Sequence, residues 1–300
     1  MQAKIIQVIL LIVLSFLQAK AQNNENSIKE ISDKEESYIL TDVSYISDAV
    51  FMGRRDSIAA PYVFPSIGYY DRSGFFADAS VSYLTASTEQ RVDLVLMSTG
   101  YLFDSRKWSG GITATGYFFN EDSYNVLSET SVSINGLVSY DFETFEASLS
   151  ANSFFNTNAT DIFCELKIGR AIYADGNKFL IQPSISVGAG TQNFYEAYYQ
   201  SSRLGNRKGN NQGGQDQTSP SSITISEATE FNILNIELSA PLQYYHNSFI
   251  FSLSPVLALP QSSATITTDD VIIKEDLESV FYWSVGISYW FKTNKKKQQL

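Results

Sequence analysis

The most constraining feature of this chain is a set of runs, roughly 10 to 13 residues long, in which apolar and polar side chains alternate. In 145–155, Phe145 and Leu149 share one face, whereas Ser148 and Ser150 share the other. The same alternation recurs in 75–84, 108–119, 130–142, 249–259 and the second half of 280–291. Successive side chains of a β-strand point to opposite faces, so this period of two predicts strands and not helices.

The apolar faces of these runs are rich in aromatic residues. The 300-residue chain contains 18 Tyr and 20 Phe, yet its mean hydropathy is −0.11. Strands with such faces would associate edge to edge in water, whereas a surface that meets lipid requires them. Their length also suits strands that cross a bilayer at a tilt. The sequence therefore predicts an all-β fold, an antiparallel transmembrane β-barrel.

The first 21 residues have the layout of a cleavable secretory signal. Lys4 precedes an apolar core at 5–17, and small residues follow at 19–21. The alternative, a membrane anchor, is disfavoured because the core is shorter than the ~20 residues that a spanning helix needs. We expect a signal peptide at 1–21, a flexible periplasmic lead-in at 22–37, the barrel at 38–291 and a basic periplasmic tail at 292–300.

Charge and cysteine content narrow the possible functions. Loss of Lys4 and Lys20 with the signal peptide takes the formal net charge from −11 to −13. An exported, acidic chain is a poor match for nucleic acid, which we do not expect as a partner. The single Cys164 cannot form an internal disulfide and is in phase with Ile162 and Leu166, so we interpret it as a small lipid-facing side chain.

The breaks between the runs alternate between short and long. Short breaks lie at 71–74, 104–107, 143–144, 174–178 and 245–247, and longer ones at 85–90, 120–129, 156–160, 191–222 and 260–278. Membrane barrels place short turns in the periplasm and long loops outside the cell, which predicts periplasmic termini.

An even strand number then requires one more strand at the start. About eleven runs follow Pro61, and 39–52 supplies the opening strand, which makes about 12 in all. The run 226–244 changes phase partway along, so we predict a β-bulge near Ile233 and Leu234.

The last run carries a motif. Ser284, Gly286, Tyr289 and Phe291 follow the order polar, any residue, Gly, any two residues, hydrophobe, any residue, hydrophobe. This order resembles the carboxyl-terminal β-signal of bacterial outer-membrane proteins. The resemblance implies a multi-pass protein of the Gram-negative outer membrane, with membrane lipid and the outer-membrane assembly machinery as partners. The chain departs from the family by continuing past the final aromatic residue into 292–300.

Residues suited to catalysis or metal binding are few. Barrel enzymes that act on lipids typically use a His to accept a Ser proton near the rim, but the single His246 falls in a predicted short turn. One His also argues against a multi-His metal site. The acidic residues of 269–278, including Glu275, lack the EF-hand spacing for Ca²⁺, so solvated acidity is the favoured interpretation. We expect no enzymatic activity, cofactor or metal.

Charged residues on the inward phase of the strands are the candidate functional site. They are Asp78, Arg91, Asp93, Glu146, Glu165, Lys167 and Glu237. Such charges can form a filter, since rings of side-chain charge set selectivity in pores. Alternatively, they pair with one another and with inward Ser and Asn residues to fill a barrel of intermediate size.

Two functions remain open at this point. The first is a narrow passive pore for small polar solutes or ions. The alternative is a non-conducting structural or surface-interaction barrel that acts through its extracellular loops. The loop 191–222 is rich in Gly, Asn, Gln and Ser, with Arg203, Arg207 and Lys208 opposed by Asp216. It is either a disordered loop or a binding loop for an extracellular partner.

Overall fold

The computed structural model describes residues 36–55, 60–86, 90–123, 125–156, 159–202, 224–267 and 272–293. Most of them lie in strands. The strands are β1 (Tyr38–Ile46), β2 (Tyr62–Tyr70), β3 (Phe75–Leu84), β4 (Arg91–Ser105), β5 (Trp108–Phe119), β6 (Thr130–Asp141), β7 (Glu146–Asn156), β8 (Thr160–Gly169), β9 (Ile172–Ala174), β10 (Phe179–Ile181), β11 (Ser184–Gly190), β12 (Thr224–Ile225), β13 (Asn232–Ser239), β14 (Leu242–His246), β15 (Phe249–Pro260), β16 (Thr265–Thr267), β17 (Ile272–Lys274) and β18 (Val280–Lys292).

Antiparallel pairing closes these strands into a barrel. Each of β1 to β7 pairs with the next strand, β8 pairs with β11, β11 with β13, β13 with β15, β15 with β18, and β18 with β1. Two residues interrupt each of three barrel strands, which therefore appear as β8 with β9, β10 with β11, and β13 with β14. Counted in this way the barrel has 12 strands, which confirms the predicted fold class.

Proline explains two of the interruptions. Pro183 and Pro241 lie in the gaps between β10 and β11 and between β13 and β14. Proline has no backbone N–H to donate to a neighbouring strand, so a regular ladder stops where it occurs. The strands nevertheless stay together there, because the Gln182 amide donates to the Pro241 carbonyl at 2.9 Å.

The outward face of the barrel is apolar and ends in aromatic girdles. Trp108 contacts Tyr140, and Phe249 contacts Tyr289, near one end. On β18, Phe281 and Phe291 are ten residues apart, or ~33 Å along the strand at ~3.3 Å per residue. A strand tilt of about 40° reduces this to a height of ~25 Å, which matches the apolar band of a transmembrane barrel.

The connections between strands differ in length at the two ends, as predicted. The short-turn end carries the connections 71–74, 106–107, 142–145, 175–178 and 247–248. The long-loop end carries 47–61, 85–90, 120–129, 157–159, 191–231 and 261–279. The two ends of the described chain meet at the short-turn end, where the Thr293 amide donates to the Ser37 carbonyl at 3.1 Å.

The predicted bulge is confirmed. On β11, Gly188 pairs with Asn235 and the next residue, Ala189, pairs with Ile233, so Leu234 is the extra residue of β13. The bulge lets Ile233 point outward while Leu234 is fully buried inside the barrel.

The predicted opening strand, 39–52, is too long. β1 ends at Ile46, and the chain then turns inward across the long-loop end. Asp48 stabilises this turn, since its carboxylate accepts hydrogen bonds from the amides of Ala49 and Ala60, both at 2.9 Å. Phe51 and Met52 consequently pack inside the mouth of the barrel instead of extending the strand.

The predicted loop 191–222 begins with a helix that the sequence reading missed, α1 (Asn193–Ser202). Arg203, Arg207, Lys208 and Asp216 lie outside the described residues. Within the part of the chain that is described, no helix is long and apolar enough to cross a membrane.

Candidate functional site

The inner wall of the barrel is polar over much of its surface. Asp42, Ser44, Ser66, Asp78 and Ser80 face a cavity of about 310 Å³ on the β1 to β3 side. Ser288 donates to Asp42 at 2.5 Å. Elsewhere on the wall, Ser139 donates to Ser148 at 2.8 Å. Polar side chains thus both line open space and bond one another between strands.

The described loop segments at the long-loop end pack together as a compact unit, which we call the cap. It comprises 47–55, 191–202, 224–231, 261–267 and 272–279. Within it, Phe51 contacts Phe194 from the cap and Phe163 from the barrel wall, with ring centroids 5.2 Å apart in both pairs. Phe154 and Leu234 of the wall join the same buried cluster. The cap is therefore seated on the barrel by an aromatic core.

A buried ion pair and its hydrogen bonds tie four cap segments together, and we call this group the Arg54 latch. Arg54 Nη2 donates to Glu275 Oε2 at 3.1 Å, to Gln192 Oε1 at 2.6 Å and to the Ser262 carbonyl at 2.6 Å. The Arg54 and Glu275 side chains are only 2% and 13% exposed. Tyr195 completes the latch, since its hydroxyl donates to Glu275 at 2.9 Å and its ring lies 4.9 Å from the guanidinium carbon.

A second buried carboxylate anchors α1 to the wall. Asp161 of β8 is fully buried, and its Oδ1 accepts from the Thr191 hydroxyl at 2.6 Å and from the Asn193 amide at 2.8 Å. Its Oδ2 accepts from Asn156 at 2.7 Å. The start of the helix is thereby held against the rim of β7 and β8.

The small sheet β12, β16 and β17 forms another part of the cap. Glu227 holds one edge of it by accepting from the Thr265 amide at 2.9 Å and from the Thr265 hydroxyl at 2.8 Å. The hydrogen bond from the Thr265 backbone amide, supported by the one from the Thr265 hydroxyl, keeps the pKa of Glu227 below its ordinary range. This contact is therefore made by the charged carboxylate at neutral pH.

Two of the predicted inward charges, Arg91 and Asp93, lie at the rim and not in open lumen. Asp93 is the extra residue of a bulge in β4, which buries it. It accepts from Arg91 Nε at 3.1 Å and from the hydroxyls of Tyr62 and Ser123, both at 2.6 Å. The arrangement fixes the loop of Ser123 to the wall.

The other predicted inward charges fall into separate groups. Asp78 lines the larger cavity, and Glu146 lies at the short-turn end, where Ser148 donates to it at 3.2 Å. Glu165 and Glu237 line a second cavity of about 120 Å³ beneath the cap, and Lys167 is the next inward residue of β8 after Glu165. The seven residues thus do not form a single ring.

The residues of the β-signal resemblance occupy both faces of β18. Tyr289 and Phe291 point outward near the short-turn girdle with ring centroids 4.5 Å apart. Gly286 faces inward, where a Cβ atom would lie 2.9 Å from Ser252 Oγ and 3.2 Å from Ser44 Cβ. The glycine therefore permits close approach of the two strands that flank β18.

The latch residues were missed by sequence reasoning. Glu275 was assigned to a solvated acidic loop, which is wrong, because it lies in the Arg54 ion pair. Asp269 and Asp270 fall outside the described residues.

Among described residues, no group of three or more His, Cys, Asp and Glu side chains is placed to hold a metal. His246 is the last residue of β14 and stacks on Tyr244 at the short-turn end.

No protein-family model and no curated protein matches the sequence. Several solved structures are similar in fold. The KdgM porin is 9% identical with a TM-score of 0.46, covering 83% of this chain and 98% of that chain. The NanC porin is 10% identical with a TM-score of 0.46, covering 84% and 98%. LpxR from Salmonella typhimurium is 10% identical with a TM-score of 0.44, covering 85% and 100%.

Proposed function

We propose that the chain is a narrow passive pore for small polar solutes or ions, and that the cap closes its long-loop mouth in the conformation described above. The observation that carries this proposal is the polar inner wall around a cavity of about 310 Å³. If the inward side chains served only to fill the barrel, they would leave little room for a cavity of this size, because protein interiors pack closely. Asp42 and Asp78 in this cavity suit the passage of polar or charged species.

The proposed location is the bacterial outer membrane, with the short-turn end and both chain termini in the periplasm. The signal-like segment 1–21 and the β-signal-like Ser284, Gly286, Tyr289 and Phe291 support this location. The meeting of Ser37 and Thr293 at the short-turn end supports the orientation, since membrane barrels place short turns in the periplasm. Its partners are then membrane lipid and the assembly machinery.

A second candidate function is a non-conducting barrel that interacts with an extracellular partner through its loops. The aromatic core of the cap favours it, because Phe163 and Phe194 are almost fully buried across the mouth. Capture of a partner through 191–222, lost when that loop is exchanged, would support this alternative. Neither proposal includes catalysis, and the position of His246 at the short-turn end, away from the cap, supports that choice.

Planar-bilayer recordings distinguish the two functions. Purified full-length protein is expected to show brief openings, and Arg54→Met is expected to lengthen them by loosening the cap. The matched control is Lys107→Met, because Lys107 is an exposed residue of a short turn whose pairing with Glu143 lies far from the cap. Silence of both the unmodified protein and Arg54→Met, across solutes and voltages, would refute the pore and leave the non-conducting barrel.

A further inference from the structure

The pairing of β1 with β18 closes the barrel, and we call this strand pair the seam. It runs in register from Tyr38 opposite Lys292 to Ile46 opposite Ser284. Every other neighbouring pair of barrel strands is joined by a turn or loop at one end, whereas β1 and β18 are the first and last strands of the barrel. Noncovalent contacts alone therefore hold the seam together.

At the short-turn end, Ser37 lies just before β1 and contacts residues on both sides of it. Its carbonyl accepts from the Thr293 amide at 3.1 Å and from the Thr293 hydroxyl at 2.6 Å. Its hydroxyl donates to Asp71 Oδ2 at 2.8 Å and accepts from the Arg72 amide at 3.2 Å. Ser37 is only 8% exposed. It thereby links the end of β18 to the turn between β2 and β3.

Asp71 is held in position by its own turn. Its Oδ1 accepts from the Ser73 amide at 2.9 Å and from the Ser73 hydroxyl at 2.5 Å, and Tyr69 donates to its Oδ2 at 3.1 Å. The hydrogen bonds from Ser73, together with those from Ser37 and Tyr69, keep the pKa of Asp71 below its ordinary range. Asp71 is therefore a charged acceptor at neutral pH, and hydrogen bonds to a charged acceptor are the stronger kind.

An ion pair crosses the seam beside these bonds but contributes less. Lys292 Nζ lies 3.5 Å from Glu36 Oε2, and the two side chains are 62% and 39% exposed. Exposed ion pairs stabilise little, because water and salt screen the charges. The hydrogen bonds of Ser37 are therefore the stronger part of this contact.

These bonds can form only when the first strand meets the last. Ser37 and Thr293 are 256 positions apart in the sequence, and both lie just outside the strands of the seam. Thr293 also lies beyond Phe291, in the stretch by which the chain departs from the β-signal resemblance.

We propose that Ser37, Asp71 and Thr293 form a seam clasp, which holds β1 and β18 together once the barrel has closed. The clasp gives the residues directly after Phe291 a role in closure. It goes beyond the pore function and does not require conduction, since a barrel that is silent in bilayers also has to keep its seam paired.

Hydrogen exchange of the purified full-length protein in lipid nanodiscs tests the clasp in a Ser37→Ala variant. The amides of 38–41 and 289–292 are expected to exchange at least tenfold faster, because the start of β1 loses its link to Asp71. The Ser47 amide, which donates to the Trp283 carbonyl at 2.9 Å at the other end of the seam, is expected to keep its rate.

Two further variants keep the test decisive. Thr293→Val removes the hydroxyl bond to Ser37 and retains a β-branched side chain, so the same pattern is expected if Ser37→Ala does not fold. In an Asp71→Ala background, Ser37→Ala is expected to have a smaller effect, because the acceptor of its hydroxyl is already absent.

Asp141→Ala is the matched control. Asp141 accepts from the Glu143 amide at 2.6 Å in the turn between β6 and β7, so it stabilises a short turn on strands that do not border the seam. It is expected to leave exchange at 38–41 and 289–292 unchanged. Three results would overturn the proposal: no acceleration in Ser37→Ala beyond Thr293 itself, equal acceleration at Ser47, or the same acceleration in Asp141→Ala. The first would mean a purely local contact, and the other two a general loss of stability.

Discussion

Replacement of Arg54 by Met is the sharpest perturbation of the cap. The variant keeps an unbranched side chain but removes the positive charge that faces Glu275, whose side chain is 13% exposed. Glu275 would retain its bonds from the Tyr195 hydroxyl and the Ala264 amide, yet would lie largely buried without a counter-charge. Breaking a buried ion pair from one side typically costs 3 to 5 kcal/mol.

The lower end of that range applies to Arg54. Its Nε and Nη1 have no hydrogen-bond partner among the described residues, so the native guanidinium is itself incompletely compensated. We therefore expect the free energy of cap opening to fall by about 3 kcal/mol, which corresponds to a roughly 150-fold larger open population. The hydrogen-bonded pairing of the barrel strands is expected to keep its free energy of opening.

Native-state hydrogen exchange in lipid nanodiscs measures this change. The Glu275 amide donates to the Ala264 carbonyl at 2.8 Å, and the Ala264 amide donates to Glu275 Oε2 at 2.9 Å, so both report on the latch. Both should exchange roughly 150-fold faster in Arg54→Met, in proportion to the open population. The double variant Arg54→Met with Glu275→Gln should exchange more slowly than Arg54→Met, because no buried charge is left unpaired. Unchanged exchange in the single variant, or still faster exchange in the double variant, would refute the latch.

Three further predictions concern the barrel, the cap and assembly. Leu149→Arg should cost up to about 2 to 4 kcal/mol of barrel stability, the value for the bilayer midplane, because Leu149 is 51% exposed on the outward face, whereas Ser150→Arg on the inward face should cost less. Equal unfolding free energies would contradict the assigned phase. The folded pKa of Glu227 is lowered, so its stabilisation of the cap is present above the unfolded pKa and is lost as pH falls through the folded value. Exchange of the Thr265 amide should therefore accelerate as the pH falls from the ordinary Glu pKa through the lowered folded pKa of Glu227. A Glu227→Gln variant that keeps this pH dependence would count against the assignment. Phe291→Ala should reduce assembly in cells more than refolding in detergent, if Phe291 serves as a recognition residue; equal losses in the two assays would indicate a purely structural role.

The barrel was predictable because its signal is local and repeated. Each strand alternates in the sequence itself, and the change of phase near Leu234 gave the bulge before any pairing was known. The even strand number followed from the alternation of short and long connections. These features depend on residues that are close in sequence and on contact with lipid, and both leave a local pattern of alternating apolar and polar residues in the sequence.

The cap was not predictable by the same means. Arg54 and Glu275 are 221 positions apart, and neither belongs to a periodic run, so only the folded chain brings them together. The end of β1 at Ile46 depends on the same tertiary contacts, because Phe51 leaves the strand to join aromatic rings from distant segments. Asp93 shows that an unpredicted bulge also limits prediction from sequence. The bulge in β4 buries Asp93 at the rim, whereas regular alternation predicted that it would face the open lumen.

The central claim is that a polar lumen is closed by the cap, and Gly53 offers the most direct test of it. Gly53 has a φ of +75°, and a Cβ atom there would lie 2.9 Å from both Asn235 Oδ1 and Pro260 Cβ, so Gly53→Ala should lift the cap from the wall. Gly176→Ala is the control, because Gly176 also has a positive φ but has no neighbour within 4 Å and lies at the short-turn end. In single-channel recordings, Gly53→Ala should remain open for a much larger fraction of time than the unmodified protein, and Gly176→Ala should match the unmodified protein. Silence of folded Gly53→Ala, or equal opening by both variants, would contradict the account.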